Sequence, residues 1–184
     1  MSALSRVLEE WSARWYVFGA QAVLIWGRPR LTADVDVTIR LVPEDTTRFV
    51  NVMESAGFRL RVAAGPAFVQ HTRVLPFAHT PTGLPLDLVL AGPGLEEVFL
   101  SRAVTVDLGG VSVPVISPED LIVTKVLAGR TKDLEDVRGV LLERLDTLDL
   151  AMIRDTLGLL EDALSQSDLR RAFDAELARV RTQP

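Results

Sequence analysis

Asp34-Val35-Asp36 opens a run in which Val35, Val37, Ile39 and Leu41 recur at every second position, the signature of a β-strand. Successive side chains of a strand point to opposite faces, so the two carboxylates, two residues apart, are forced onto the same one. Like charges placed in this way repel. A fold accommodates them when a cation, a basic side chain or a shared proton offsets the charge. A divalent cation suits the pattern, because Mg²⁺ is held by one or two protein carboxylates and completes its octahedron with water and phosphate oxygens. The chain must therefore build a sheet with one acid-bearing face turned towards a polar site.

At 184 residues, 48% of them hydrophobic, the chain suffices for one ordinary core, or for a larger domain with a small helical appendage. A formal charge of −5 argues against indiscriminate coating of nucleic acid, which is driven by phosphate neutralisation. Cysteine is absent, which excludes disulfides, thiolate metal sites and a cysteine nucleophile. The first residues lead into an amphipathic segment carrying Glu9 and Glu10, unlike a signal region, and no apolar run approaches the roughly 18 residues of a membrane span. A cytoplasmic protein without membrane attachment is expected.

Leu4, Val7, Leu8 and Trp11 share a helical face, and Trp15 to Phe18 reads as a short strand ending at Gly19. A helix over 20–26 stops at Gly27 and Pro29, and the acidic strand covers 34–41. Pro43 opens a helix in which Phe49, Val52, Met53 and Ala56 share a face. Residues 58–82 carry weaker signals, with strands expected near 58–62 and 73–77. Leu84 to Leu90 is a clear strand, Gly92-Pro93-Gly94 precedes a short helix, and 104–107 pairs with 111–115 as a hairpin. Ser117-Pro118-Glu119-Asp120 combines an N-cap serine, proline at the first helical position and an acid three residues after the cap. Helical patterning continues to the end, broken near 129, 146–149 and 165–167. The reading is an α/β (α+β) core over residues 1–115, with a mixed sheet flanked by helices, and a helical segment over 116–184.

Asp87 lies in Pro85-Leu86-Asp87-Leu88-Val89-Leu90, on the face opposite Leu86, Leu88 and Leu90. Alone it could be the polar side of a half-exposed strand. With Asp34 and Asp36 it completes a set of three strand carboxylates of the kind that holds two metal ions in nucleotidyl transfer. Gly19-Ala20, then Gly27-x-x-Arg30-x-Thr32-x-Asp34-x-Asp36, then Asp87, resembles the polymerase-beta-type nucleotidyltransferase superfamily, especially its minimal members and the AbiEii-type abortive-infection toxins. The resemblance extends to Asp120-Leu121-Ile122-x-x-Lys125-x-x-Ala128-x-Arg130-x-Lys132-Asp133-x-x-Asp136, similar to that toxin family's Lys- and Asp-rich helical motif, and covers roughly residues 18–142.

The resemblance implies that Asp34, Asp36 and Asp87 are catalytic and hold Mg²⁺ or Mn²⁺, Asp87 also helping to deprotonate the acceptor hydroxyl. It implies that Gly19, Ala20, Arg30, Thr32, Lys125, Lys132, Asp133 and Asp136 contribute to binding the NTP. Where the superfamily often has Ser or Gly, Ala20 removes a hydroxyl contact to phosphate. The implied activity transfers NMP from an NTP to a hydroxyl acceptor, RNA or a tRNA 3′ end, in the toxin half of a toxin–antitoxin or phage-defence pair with a cognate antitoxin as partner. The competing readings are a small-molecule nucleotidyltransferase of the antibiotic-modifying kind and a catalytically silent interaction protein on the same fold. Lys125 and Lys132 stand out because every other basic residue is arginine. Lys125 is expected to reach towards the acidic cleft as a mobile ammonium on the triphosphate, its removal costing nucleotide binding and little stability, the alternative being a side chain that snorkels to water. His71 and His79 lack metal-ligand spacing and read as structural or surface residues.

Overall fold

The computed structural model describes residues 1–62 and 66–182. The chain divides into two compact units, Met1–Gln21 with Leu31–Ile116, and Ala22–Arg30 with Ser117–Pro184.

The first unit contains a seven-stranded mixed sheet. Its elements are α1 (Ser2–Glu10), β1 (Trp15–Phe18), the start of α2 (Gly19–Trp26), β2 (Val35–Ile39), a 3₁₀ turn at Pro43–Asp45, α3 (Thr46–Ser55), β3 (Phe58–Leu60), α4 (Pro66–Thr72), β4 (Val74–His79), β5 (Pro85–Leu90), α5 (Leu95–Arg102), β6 (Val104–Asp107) and β7 (Ser112–Val115). The strands lie in the order β3-β4-β5-β2-β1-β7-β6. β2 runs parallel to β5 and β1 parallel to β7, while β1–β2, β3–β4, β4–β5 and β6–β7 are antiparallel.

Alternation decides the two faces of this sheet. Val17, Val37, Ile39, Leu75, Phe77, Leu86 and Leu88 occupy matching register positions on one face and are all buried. Leu4 and Leu8 of α1 and Phe49 and Met53 of α3 are buried in the same unit. Phe49, fully buried, takes the edge of the Trp11 ring at 5.3 Å. Asp36, Thr38, Asp87 and Val89 share the other face. Helix α4 was not anticipated: its Phe68, Val69 and Thr72 fall in the stretch where apolar residues follow neither period cleanly, and only Val69 is buried among them.

The second unit takes the end of α2 and four further helices, α6 (Pro118–Ala128), α7 (Thr131–Arg144), α8 (Leu150–Leu164) and α9 (Leu169–Arg181). The expected cap forms: the Ser117 side chain accepts a hydrogen bond from the Asp120 amide at 3.1 Å. The breaks lie where anticipated, with Gly129 ending α6 in the left-handed conformation at φ +64°. Residues 22–30, read from sequence with the α/β part, pack with the C-terminal helices. Arg144 of α7 donates to the Ile25 carbonyl at 3.4 Å and lies over the Trp26 ring at 5.4 Å. A Cβ on Gly27 would come within 3.0 Å of the Val140 backbone, so this close approach depends on glycine. No helix among the described residues is long and apolar enough to cross a membrane.

Truncating Phe49 removes an aromatic ring from the sealed core of the first unit. Phe49→Ala is expected to lower unfolding free energy by about 3–5 kcal/mol in urea denaturation.

Candidate active site

In the first unit the parallel register of β2 and β5 sets Asp36 beside Asp87. Neighbouring strands lie roughly 4.8 Å apart, so paired side chains on one face are immediate neighbours. Their flanking partners, Val35 with Leu86 and Val37 with Leu88, point the other way, where Val37, Leu86 and Leu88 are buried in the core and Val35 is half-buried. The acids are thus held towards a polar face by the burial of residues on either side. Both are partly exposed.

On the other flank of Asp36 the register partner is Phe18 of β1, and the chain turns directly afterwards at Gly19. Gly19 has φ +63°, a conformation that L side chains rarely adopt. A Cβ there would overlap the Asp36 carboxylate, with Cγ at 2.9 Å. The glycine is required by the backbone's approach to this acid as well as by its dihedral angle. Ala20, the next residue, is buried.

Asp34 lies one residue before β2 and is exposed. Its Oδ1 accepts a hydrogen bond from the Thr32 hydroxyl at 2.6 Å, and its carbonyl accepts one from Gln21 Nε2 at 3.2 Å. Thr32, anticipated as a nucleotide contact, is thus hydrogen-bonded to Asp34. One further residue at the acids had no signal in the sequence: Arg61, just beyond β3, pairs through Nη2 with Asp87 Oδ1, while its Nε donates to the Phe77 carbonyl at 3.0 Å. It lies in the weakly patterned stretch, and only long-range strand pairing brings it across.

Among the described residues no group of three or more His, Asp or Glu is arranged to hold a metal ion. The donor set does fit a hard cation, since Mg²⁺ needs only one or two protein carboxylates. Asp36 and Asp87 supply two, side by side on one face of the sheet, with the Gly19 backbone packed directly against the Asp36 carboxylate.

In the second unit Arg30, Lys125, Asp133 and Asp136, four of the remaining expected site residues, form an ionic cluster around two buried acids. Lys125 Nζ of α6 donates to Asp133 Oδ1 at 3.1 Å and to Asp136 Oδ2 at 2.7 Å. Asp136 also receives both prongs of the Arg30 guanidinium, at 2.8 and 3.1 Å, and Asp133 pairs with Arg130. Lys125, Asp133 and Asp136 are all buried, whereas Lys132, on the same helix as the two acids, is exposed. The Lys125 ammonium therefore does not snorkel to water. Its charge is shared by two carboxylates one helical turn apart. Burial alone would raise the Asp133 carboxyl, but hydrogen bonds from Arg130 and Lys125, helped by their charges, outweigh it and hold the group below the ordinary range.

Residues 3–178 match the family model described as nucleotidyltransferase of unknown function, DUF6036. The chain belongs to this nucleotidyltransferase family. Its fold is shared with an antigenic nucleotidyltransferase-like protein from Paracoccidioides brasiliensis, at 20% identity and a TM-score of 0.59 over 95% of this chain and 90% of that one. The solution structure of the antibiotic-resistance factor ANT(2'')-Ia matches at 16% identity and a TM-score of 0.57, over 89% and 92% of the two chains. The lincomycin-bound lincosamide antibiotic adenylyltransferase LnuA matches at 14% identity and a TM-score of 0.50, over 73% of this chain and 90% of that one. No curated protein sequence matches the chain.

Two outcomes are expected for the ionic cluster. Lys125→Ala leaves buried Asp133 and Asp136 short of a cation and should cost about 3–5 kcal/mol in chemical denaturation, whereas exposed Lys132→Ala should stay within about 0.5 kcal/mol. The second concerns pH. A carboxyl with a depressed pKa in the folded state contributes stability that is complete above its unfolded value of about 3.9 and fades as pH falls through the folded value. Acid titration of the melting temperature should accordingly show a decline below about pH 3.9 that is shallower in Asp133→Asn, whose starting stability is lower.

Proposed function

We propose that this protein transfers a nucleoside monophosphate from an NTP to an acceptor hydroxyl with release of pyrophosphate, using Mg²⁺ or Mn²⁺ held by Asp36 and Asp87 with Asp34 as the third carboxylate. The observation that carries this reading is the parallel pairing of Asp36 with Asp87 beside the side-chain-free turn at Gly19. A bound divalent cation would activate the acceptor hydroxyl and steady the charge on the leaving pyrophosphate. The chain's own residues do the rest. Asp36 is fixed by the strands on both sides of it and presents its charge without needing to reorganise. Asp87 would take the proton of the acceptor hydroxyl. Gly19 lets backbone amides at the start of α2 approach the triphosphate, where a helix N-terminus attracts anions. Thr32 holds the Asp34 carboxylate in one orientation. Lys125, Asp133, Asp136 and Arg30 we assign to bracing residues 22–30 against α6 and α7, the segment that leads along the chain to Asp34.

For the acceptor we favour RNA, with the chain as the toxin of a toxin–antitoxin or phage-defence pair. What supports this is the likeness of the Lys125 to Asp136 motif to that of the abortive-infection toxins. The second reading, a small-molecule acceptor, is supported by the fold shared with ANT(2'')-Ia and the lincosamide adenylyltransferase.

Each α-labelled NTP, incubated with Mg²⁺ or Mn²⁺ and either total RNA or lincomycin, distinguishes them by where the label goes. Asp36→Asn and Asp87→Asn, matched in shape but lacking the charge, should each reduce incorporation at least roughly 100-fold, about 2.7 kcal/mol of barrier, while their thermal melts stay cooperative. Full incorporation by well-folded variants would remove these acids from the reaction.

A further inference from the structure

The acidic pair has a cation of the chain's own beside it. Arg61 is the first residue beyond β3, and its amide donates to the Pro76 carbonyl at 2.8 Å. Pro76 is in turn the register partner of Asp87, which is the partner of Asp36. Arg61, Pro76, Asp87 and Asp36 therefore form one row, from the residue that follows β3 across β4, β5 and β2.

Proline explains why the arginine stands where it does. Lacking an N–H, Pro76 cannot return the hydrogen bond it receives from Arg61, so the β3–β4 ladder ends at Leu60 and Phe77. The side chain of Arg61 instead reaches back over its partner strand, Nε on the Phe77 carbonyl and Nη2 on Asp87 Oδ1. Proline carries no polar side chain to compete for either end. The pair is about one-third exposed on both sides, 37% and 32%. Ion pairs so open to water contribute little to stability, and the contact can be exchanged for another cation at small cost.

We propose that Arg61 is the resident counter-charge of the Asp36–Asp87 pair: it holds Asp87 in the metal-free protein and competes with the incoming divalent cation, so that it sets the metal concentration at which the site loads. This rests on the metal-dependent reading above. Two carboxylates and one guanidinium leave a single net negative charge on the row, against two for the carboxylates alone. A guanidinium about 6 Å from a doubly charged ion in a water-like dielectric weakens binding about tenfold.

The test is Mn²⁺ binding to the nucleotide-free full-length chain, followed by the electron paramagnetic resonance signal of free Mn²⁺, with circular dichroism melts as the check on folding. Arg61→Gln should tighten Mn²⁺ binding about tenfold. Arg61→Lys, which keeps the charge, should remain near wild type, as should Arg6→Gln, which removes the same charge from exposed α1. In the Asp87→Asn background, where the guanidinium has lost the carboxylate that holds it beside the site, Arg61→Gln should give a smaller gain than in wild type. Unchanged or weaker Mn²⁺ binding in Arg61→Gln, in a protein where Asp36→Asn abolishes it, would overturn the role of Arg61 and leave the site standing. Mn²⁺ binding that is absent from wild type, or indifferent to both Asp36→Asn and Asp87→Asn, would overturn the metal site and this inference with it.

Discussion

Asp36 and Asp87 meet because β2 and β5 pair in parallel in one particular register, with Val35, Val37 and Ile39 facing Leu86, Leu88 and Leu90. The period of a strand is two, so a slip of one residue in either strand would turn three apolar side chains to the polar face and bury an acid in the core. The hydrophobic effect acting on those six residues is thus what holds two repelling carboxylates side by side. The rest of the first unit conforms to this pairing: Phe18 flanks Asp36 from β1, the turn that follows must be glycine, and Pro76 flanks Asp87 from β4.

The two units handle charge in opposite ways. In the helical unit, buried Asp133 and Asp136 are matched by the buried Lys125 ammonium and by the more exposed guanidiniums of Arg30 and Arg130. Such clusters add little net stability over an apolar core but become costly when one partner is lost, which makes them locks on a particular arrangement of helices. The residue types suit their places. Lys125 offers a compact ammonium whose donors reach two carboxylates on successive turns, while Arg30 applies its planar fork to both oxygens of one. In the sheet unit the acids are partly or fully exposed, and Asp87 pairs with half-exposed Arg61, an arrangement suited to exchanging its counter-ion.

A nucleotidyltransferase family spans nearly the whole chain, and chains of 14–20% identity share its fold. At such identities the fold persists through the pattern of buried positions while individual polar contacts diverge.

Local patterns revealed much of this in advance. The alternation around Asp34 and Asp87, the capped start at Ser117 and the breaks at 129, 146–149 and 165–167 are all properties of neighbouring residues, whose periodicity and backbone preferences operate before any distant contact forms. The likeness to nucleotidyltransferases was legible for the same reason, because its motifs are short and closely spaced. Pairing over long sequence separations decided the rest. Arg61 reaches Asp87 across 26 residues, Arg30 reaches Asp136 across 106, and the bulk that Gly19 must lack is set by a carboxylate on another strand. Even the fate of Lys125, whose oddity in an arginine-rich chain was plain, depended on which acids the packing of α6 against α7 delivered to its ammonium. Residue type and spacing specify which charges must be compensated, but only the folded chain's register and helix packing choose the compensating partner, since those contacts form between segments with no local influence on one another.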